Sequence, residues 1–541
     1  MSRFVRASKY RHVFGQAAKK EHGYDNVKVS SSAWDTNLIA ASAQFVSINW
    51  SASGGGAFAI LPLPSPFGPT SYDIPSKLPD IIPLARTHTA PVLDTAWSPA
   101  NDTLVASASE DGTSLLWKVP DGLFDGWTTD GWEPSDLEPV ARVDVSAKKV
   151  GQVLWHPTAA NVLATASGEH SVRLWDLADT SRPRATLNGH GDTIQSFAFN
   201  ATGSVLATTC RDRKLRLFDA RAGGDPVRVT DGHGGIKGTR VVWMGEMDRI
   251  ATTGFSKMSD RQVGIWETGG LGSVKTLTLD QSAGVVMPFW SDNRVLFLAG
   301  KGDGNIRYYE YESDQLYALA EHSTSNPQRG MCFLPRRALD VSECEIARAF
   351  KVSGNSVEPI AFIVPRRADS FQSDIYPPAP STEPSLSAAE FFAGKTAPLN
   401  LVDLANGTVF ASSGVPPSTS TPTSVTPPAP APASAPAPAP VAASTPAAPE
   451  PTPVTRAVTV PVTAPPAPAV PTPGRSESLP VSSPVVDASP DNDPNATALQ
   501  DEVDRLNGEL REARQKIRNL ELQVEGMKAN AKKAAQALMD V

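Results

Sequence analysis

Short apolar runs separated by polar turns recur along residues 88–310 and predict β-strands throughout this part of the chain. Runs such as 103–107 and 114–117 are bounded by Asp-Gly or Ser-Gly turns, which is typical of strands. Five units can be aligned, because each ends on an aromatic residue that follows an acidic residue by six positions. The closing aromatics are Trp117, Trp175, Phe218, Trp266 and Tyr309, and the acidic residues are Asp111, Glu169, Asp212, Asp260 and Asp303.

The period of these units indicates a propeller. Successive closing aromatics are 58, 43, 48 and 43 residues apart, and a propeller blade repeats at about 40–45 residues. A turn-rich insertion at 120–139 explains the long first interval, and a His precedes three units, at His88, His190 and His233. The pattern resembles the WD40 repeat, so we expect an all-β propeller.

The His, Ser, Asp and Trp of one unit could form either a hydrolase triad or a structural network. Repetition favours the structural network, because an enzyme needs one such set and this chain carries several graded versions. In WD40 blades the Asp accepts from the His, which reaches a Ser or Thr hydroxyl and the Trp indole N–H. The fullest copy is predicted at His88, Ser109, Asp111 and Trp117, and the partial copies use His190, Asp212, His233, Asp260 and Trp266.

Composition narrows the class of protein. The chain has 541 residues, more than one core normally supports, and 24 of its 49 prolines lie after Val415. Its net charge of −8 argues against general nucleic-acid binding. The start of the chain lacks a signal-peptide core, no apolar run reaches the length of a membrane span, and three cysteines without metal-ligand spacing suit a reducing cytosol. We expect no metal, no cofactor and no catalytic residues.

Several short sequence motifs are similar to motifs of the coronin family, and together they cover most of residues 1–400. They are SKYRHVFG (8–15), SGGGAF (53–58), TGFSKMS (253–259), GKGD (300–303), PQRGM (327–331) and CEIAR (344–348). The resemblance implies seven blades, with the first at about 25–65 and the last at about 329–368. It also implies that an N-terminal strand joins the final blade.

The domain prediction combines the pattern with this resemblance. It consists of a basic N-terminal arm (1–24), a seven-bladed WD40 β-propeller (25–368), an extension packing on the propeller (369–405), a linker (406–494) and a coiled-coil helix (495–541). The linker is rich in Pro, Ala, Ser and Thr, so it has too little large apolar surface to offset the entropy of ordering and is predicted to be disordered.

The last segment shows the 3.5-residue period of a coiled coil. Its predicted core is Leu499, Val503, Leu506, Leu510, Ile517, Leu520 and Val524. β-Branched residues at position a with Leu at position d favour two strands. Coronin coiled coils are often trimers with an Arg-based signature, in which this chain has Lys516. Both a homotrimer and a homodimer therefore stay open.

The resemblance also implies a function. Coronins bind filamentous actin through basic propeller surfaces and regulate the Arp2/3 complex through their C-terminal region, so we expect bundling or decoration of filaments in cytoplasmic cortical endocytic patches, with at most peripheral membrane contact. The candidate actin-binding residues are Arg6, Lys9, Arg11, Lys19, Lys20 and Lys28. Many animal coronins have an actin-contacting Arg just before the position of Trp34, where this chain has three serines at 30–32.

Two alternatives belong to other classes. A generic WD40 adaptor, for example in a ubiquitin ligase or a trafficking coat, would share the propeller and the Pro-rich tail. It would not share the coronin sequence motifs. An enzyme would require a pocket with convergent polar groups, which no motif indicates.

Overall fold

A computed structural model describes residues 6–64, 67, 74–127, 129, 131–367 and 370–412, with three further helical positions. These three, Arg505, Gly508 and Gln515, are exposed and fall at positions c and f of the predicted heptads. The seven predicted coiled-coil core residues and most of the predicted linker lie outside the described residues, so these two predictions stay untested. Two compact units divide the chain, 1–427 and 428–541.

The described strands form seven four-stranded antiparallel blades. Strand β1 (Phe14–Ala17) precedes the first blade, which consists of β2 (Ile39–Ala41), β3 (Phe45–Trp50), β4 (Gly56–Pro62) and β5 (Leu84–His88). The second blade consists of β6 (Val92–Ser98), β7 (Asn101–Ser109), β8 (Thr113–Lys118) and β9 (Ala141–Asp144). The third consists of β10 (Val150–Trp155), β11 (Val162–Ser167), β12 (Ser171–Asp176) and β13 (Ala185–Leu187).

The remaining blades repeat this order. The fourth consists of β14 (Ile194–Phe199), β15 (Val205–Cys210), β16 (Lys214–Asp219) and β17 (Arg228–Asp231). The fifth consists of β18 (Arg240–Trp243), β19 (Arg249–Phe255), β20 (Arg261–Glu267) and β21 (Ser273–Asp280). The sixth consists of β22 (Val286–Ser291), β23 (Val295–Gly300), β24 (Asn305–Glu312) and β25 (Gln315–Ser323), and the seventh adds β26 (Gly330–Phe333), β27 (Glu345–Ser353) and β28 (Ser356–Ile363).

The seventh blade closes the ring. Its strand order is β1-β28-β27-β26, so its outer strand comes from the opposite end of the sequence. Phe14 pairs with Ile363 and Ala17 with Ile360, while β26 contacts β2 of the first blade. The stretch assigned to a basic arm (1–24) thus contains a blade strand, and the fourth strand of the first blade, β5, lies beyond residue 65. The WD40 β-propeller is confirmed.

The five periodic units correspond to blades two to six. Each closing aromatic lies on the third strand and pairs with the second, as Trp117 pairs with Val105 and Trp175 with Leu163. Their side chains fill the core, since Trp117 and Trp175 are almost fully buried. Gly112 makes the turn after Asp111 with φ +84°, where a Cβ would lie 2.1 Å from the Ser146 carbonyl oxygen. The Asp-Gly signal therefore marks a turn that requires glycine.

Neighbouring blades are joined by a repeated hydrogen bond between their first strands. A polar side chain near the start of one first strand accepts from a backbone N–H of the next. The pairs are Asp94 with Val153 (3.1 Å), Gln152 with Phe197 (3.2 Å) and Gln195 with Thr239 (3.1 Å). These bonds satisfy backbone groups that face the channel, where the next sheet offers no ladder partner.

Strand alternation gives the ring two faces. The front face carries the loops that lead into each first strand and those that join the second and third strands. The back face carries the loops that join the first and second strands and those that join the third and fourth. β1 runs antiparallel to β28, so it leads the chain from the back face at Phe14 to the front face after Ala17.

The segment after the ring packs on the back face. It contains α1 (Ala388–Phe392) and a sheet of β29 (Ala379–Pro380), β30 (Asn400–Val402) and β31 (Val409–Ala411). Ser387 begins α1 with a capping box to Glu390. Phe391 is 1% exposed and its ring lies 4.2 Å from that of His156, in the loop after β10.

Three 3-10 helices, Lys20–His22, Arg336–Ala338 and Val341–Glu343, lie elsewhere in the described part of residues 1–427. Among these residues, no helix has the length and apolar character to cross a membrane.

Candidate interaction surfaces

Residues 30–37 lie across the front end of the central channel and contact blades on several sides of the ring. The Trp34 indole donates to the Gly151 carbonyl of blade three (2.7 Å), and the Thr36 hydroxyl donates to the Leu93 carbonyl of blade two (2.6 Å). Arg329 of blade seven donates to the Ser30 carbonyl (2.7 Å). We call residues 30–37 the plug. A cavity of about 950 Å³ lies beside it.

An ion-pair network anchors the plug. One carboxylate oxygen of Asp35 lies 2.8 Å from the Lys301 ammonium and 3.3 Å from the Arg240 guanidinium. Burial alone would raise the pKa of Asp35, but the two cations outweigh burial and hold this pKa below its usual range. Lys301 and Arg240 belong to blades six and five, so a single acidic residue of the plug fixes two blades.

The predicted polar network is formed in blade two. His88 Nδ1 lies 2.9 Å from the Asp111 carboxylate, and His88 Nε2 lies 2.7 Å from Ser107 Oγ. The Trp117 indole donates to the same hydroxyl at 2.8 Å. Burial opposes ionisation of Asp111, but hydrogen bonds from His88 and Thr113 keep the pKa of Asp111 below its usual range. Both the His88 side chain and Ser107 are fully buried, so no substrate can reach the hydroxyl.

The predicted serine of this network was wrong. Ser109 Oγ instead donates to the Ala90 carbonyl (2.8 Å) and accepts from the Asp111 N–H (3.1 Å). Ser109 lies at the turn, whereas Ser107 lies two residues earlier on β7, within reach of the indole. Thr165 and Trp175 show the same ten-residue spacing and a 2.9 Å hydrogen bond, so this spacing could have identified the correct residue.

Two other predicted Asp–His pairs were also wrong. His190 Nε2 lies 3.0 Å from Thr208 Oγ1, but its Nδ1 faces the His170 carbonyl, and Asp212 pairs with Arg216 at 2.5 Å. Asp212 is satisfied because a guanidinium offers it two donors. Burial lowers the pKa of His190 to about 4, so the ring is neutral at pH 7.

Blade five shows the same departure. His233 Nε2 lies 2.9 Å from Thr252 Oγ1, which accepts from the Trp266 indole at 2.7 Å. Asp260 accepts from Ser256 and Gln281 instead of His233. Burial lowers the pKa of His233.

The six candidate actin-binding residues fall into two groups. Arg6, Lys9 and Arg11 precede β1 on the back-face side, whereas Lys19, Lys20 and Lys28 follow it on the front-face side. Their other contacts differ as well.

The back-face group is largely engaged within the protein. Arg6 binds Glu310 and lies 2.5 Å from Glu312, and Lys9 donates to the Asp374 carbonyl at 3.0 Å. Arg11 is half-buried.

The front-face group is more available. Lys19 and Lys20 have side chains 76% and 85% exposed, and their acidic neighbours, Glu21 and Asp25, lie 3.8 and 3.1 Å away. Lys28 is 44% exposed and donates to the Asp80 carbonyl at 2.9 Å. Exposed pairs of this kind hold a cation weakly.

The sequence prediction missed a further group of front-face cations in blades three to five. They are Lys148, Lys149, Arg211, Arg213, Lys237 and Lys257, and within the described residues no ion pair involves them. Neighbouring acidic residues are neutralised by strand cations: Asp212 pairs with Arg216 and Asp231 with Lys214 at 2.7 Å. Each of these cations follows or precedes a turn, and only the blade topology brings the loops together.

The three serines at 30–32 belong to the plug, which two cations contact. Arg329 binds the Ser30 carbonyl, and the Lys149 ammonium lies 4.0 Å from the Trp34 ring centroid. Arg329 and Lys149 thus contact residues on either side of Ser31, which is itself exposed.

The described residues contain no group of three or more His, Cys, Asp or Glu side chains that could hold a metal ion. Cys210, Cys332 and Cys344 are buried free thiols. Burial raises the pKa of Cys210 to about 11, so this thiol is not a reactive thiolate at neutral pH.

Comparison with known proteins shows which proteins the chain resembles. Residues 82–118 and 181–219 match the WD domain, G-beta repeat, residues 357–399 match a type of WD40 repeat, and residues 3–67 match a domain of unknown function, DUF1899. The crystal structure of the WD40 domain of Toxoplasma gondii coronin superposes with a TM-score of 0.66 at 28% identity, over 72% of this chain and 97% of that one.

Two relatives extend the match. The coronin-like protein crn1 of Schizosaccharomyces pombe is 47% identical over 76% of this chain, which spans 66% of that relative's length. Human coronin-2A is 38% identical over 74% of this chain and 75% of its own length. With a propeller and sequence shared over this extent, the chain belongs to the coronin family and is of the fungal type.

Proposed function

We propose that this protein binds filamentous actin and organises filaments as a multivalent, non-enzymatic scaffold. Membership of the coronin family carries the proposal, and the available cations on the front face support it. An actin filament is acidic, so exposed lysines and arginines without strong internal partners provide complementary charge. His88, Asp111 and Ser107 of blade two are arranged like a catalytic triad, but the Ser107 hydroxyl is buried, which supports a structural role for them.

We place the filament contact on the front face, around the plug and the first turn of the chain after β1. Lys19, Lys20 and Lys28 contribute there, together with Lys149 beside the plug residue Trp34. The back-face residues Arg6 and Lys9 are held by internal partners, so their substitution is expected to affect folding more than filament binding.

Charge reversal tests this placement. The double variant Lys19→Glu with Lys20→Glu is expected to lower co-sedimentation with filamentous actin about tenfold at low salt, because two attractive charges become repulsive. The matched control is Lys118→Glu with Arg182→Glu, which changes two exposed cations on the back face. Equal loss in both variants would indicate a general charge effect and would contradict the front-face site.

Self-association through the C-terminal helix, and regulation of the Arp2/3 complex, belong to the same proposal. A coiled coil would multiply weak propeller contacts, and a long linker would let each copy reach a separate site. The actin and Arp2/3 activities would place the protein at cortical endocytic patches in the cytoplasm. Pyrene-actin assembly with purified Arp2/3 complex tests the regulation: an unchanged rate of branched assembly with the full chain would refute it.

A further inference from the structure

Two neighbouring front-face loops of blade five present exposed apolar side chains at their tips. Ile236, in the loop 232–239, is 65% exposed, and Met258, in the loop 256–260, is 83% exposed. The Gly235 N–H donates to the Phe255 carbonyl at 2.8 Å, so the two loops lie side by side.

The turn that carries Met258 is braced. Ser256 Oγ donates to the Asp260 carboxylate at 2.8 Å and accepts from the Met258 N–H at 3.1 Å. Ser259 adopts φ +67°, a left-handed conformation that is uncommon for serine and that the turn enforces. The Met258 side chain is therefore held outward by a defined turn, and the structure stabilises an exposure that costs hydrophobic free energy.

Cations surround these two apolar side chains. Lys237 and Lys257 are their immediate neighbours in sequence, and Arg213 borders the same loop through its carbonyl, which accepts from the Gly232 N–H at 2.8 Å. All three are exposed, and within the described residues no ion pair holds them, although the Lys237 ammonium lies 4.8 Å from the Phe255 ring centroid. Asp260, two residues from Met258, accepts from Ser256 and Gln281. Asp231, the exposed acidic residue that immediately precedes loop 232–239, pairs with Lys214 at 2.7 Å. We call Arg213, Ile236, Lys237, Lys257 and Met258 the blade-five patch.

We propose that the blade-five patch docks on the surface of an anionic lipid bilayer. Ile236 and Met258 would enter the boundary between headgroups and acyl chains, while Arg213, Lys237 and Lys257 would face anionic headgroups. Protruding apolar side chains flanked by basic ones are the combination that binds this interface.

The position of the patch gives this contact a structural consequence. Blades four and five lie across the ring from the seam between blades seven and one, where Lys19 and Lys20 follow β1. A bilayer on the patch and a filament on Lys19 and Lys20 would therefore lie at different sides of one front face, although the plug itself reaches blade five through Asp35 and Arg240. The lipid proposal does not rest on actin binding, and either can fail alone.

Flotation of the full chain with vesicles tests the proposal. We expect binding to vesicles of phosphatidylcholine with phosphatidylserine and none to phosphatidylcholine alone. The variant Ile236→Ser with Met258→Ser, and the variant Lys237→Glu with Lys257→Glu, should each lower the bound fraction about tenfold or more. Unchanged thermal melting would show that both variants fold.

Matched controls separate the patch from general effects. Val227→Ser with Val229→Ser removes two apolar side chains, 56% and 46% exposed, from the outer edge of blade four, and the back-face pair Lys118→Glu with Arg182→Glu reverses two charges; both should retain vesicle binding. Absence of phosphatidylserine-dependent binding, or equal loss in patch and control variants, would overturn the proposal. It would also be overturned if the patch variants lost actin co-sedimentation while vesicles were never bound, since the patch would then be a filament contact.

Discussion

Asp35 holds the plug to two blades, and its replacement by asparagine gives a quantitative prediction. The carboxylate lies 2.8 Å from Lys301 and 3.3 Å from Arg240, whose side chains are 19% and 8% exposed. Removing one partner of a buried ion pair costs about 3–5 kcal/mol. Because Asp35 is 32% exposed, solvent screens part of the ion-pair interaction. We therefore expect Asp35→Asn to lower the free energy of unfolding by about 2 kcal/mol.

Thermal unfolding of the full chain at pH 7 is the assay. A loss of this size in a domain of several hundred residues corresponds to a midpoint about 3 °C lower. The matched control is Asp80→Asn, whose carboxylate is 83% exposed and 3.9 Å from Lys28, and it should leave the midpoint unchanged.

The sign of the pH dependence provides a second test. The folded-state pKa of Asp35 is lowered, so its contribution is present above the unfolded-state pKa of about 3.9 and is lost as the pH falls through the folded-state value. The difference between Asp35→Asn and the natural chain should therefore shrink below about pH 4. Equal midpoints for Asp35→Asn and Asp80→Asn at pH 7 would refute the role given to the plug.

Three further predictions concern the network, the extension and the C-terminal helix. Ser107→Ala leaves two buried polar groups unpaired and should cost about 3 kcal/mol in chemical denaturation, more than Ser109→Ala, whose carbonyl acceptors keep other options; equal costs would contradict the corrected network. Phe391→Ala should remove about 3–5 kcal/mol of packing on His156 and speed proteolysis between residues 380 and 412 while the propeller stays resistant; unchanged cleavage would show that the extension does not depend on this anchor. A chain stopped after Gly414 should be a monomer by light scattering, whereas the full chain should be a trimer or a dimer; identical masses would exclude the coiled coil as the oligomerisation element.

The periodic units could be read from the sequence because their signals are local. An acidic residue at a turn and an aromatic residue six positions later lie on one hairpin, and that hairpin recurs in blades two to six. The first and last blades lack this signature. Pairing of Phe14 with Ile363 joins residues far apart in the chain. Only the resemblance to coronins predicted that an N-terminal strand joins the final blade, and it did not give the residues.

The details of the site depended on three-dimensional placement. The sequence prediction chose Ser109, although the ten-residue spacing to the closing aromatic marks Ser107. Both serines lie on the same side of β7, and only Ser107 reaches the indole. The sequence also did not show that Asp212 pairs with Arg216 instead of His190, because the arginine that competes for the carboxylate lies four residues later in the chain. The front-face cations of blades three to five are separated by tens of residues, and the ring alone assembles them.

Co-sedimentation with filamentous actin tests the central claim most directly, comparing the full chain with the chain stopped after Gly414. We predict that the full chain pellets with filaments and that the shorter chain pellets more weakly, since one propeller contact loses its multiplication by self-association. Failure of both to pellet at low salt would contradict filament binding and favour a generic WD40 adaptor.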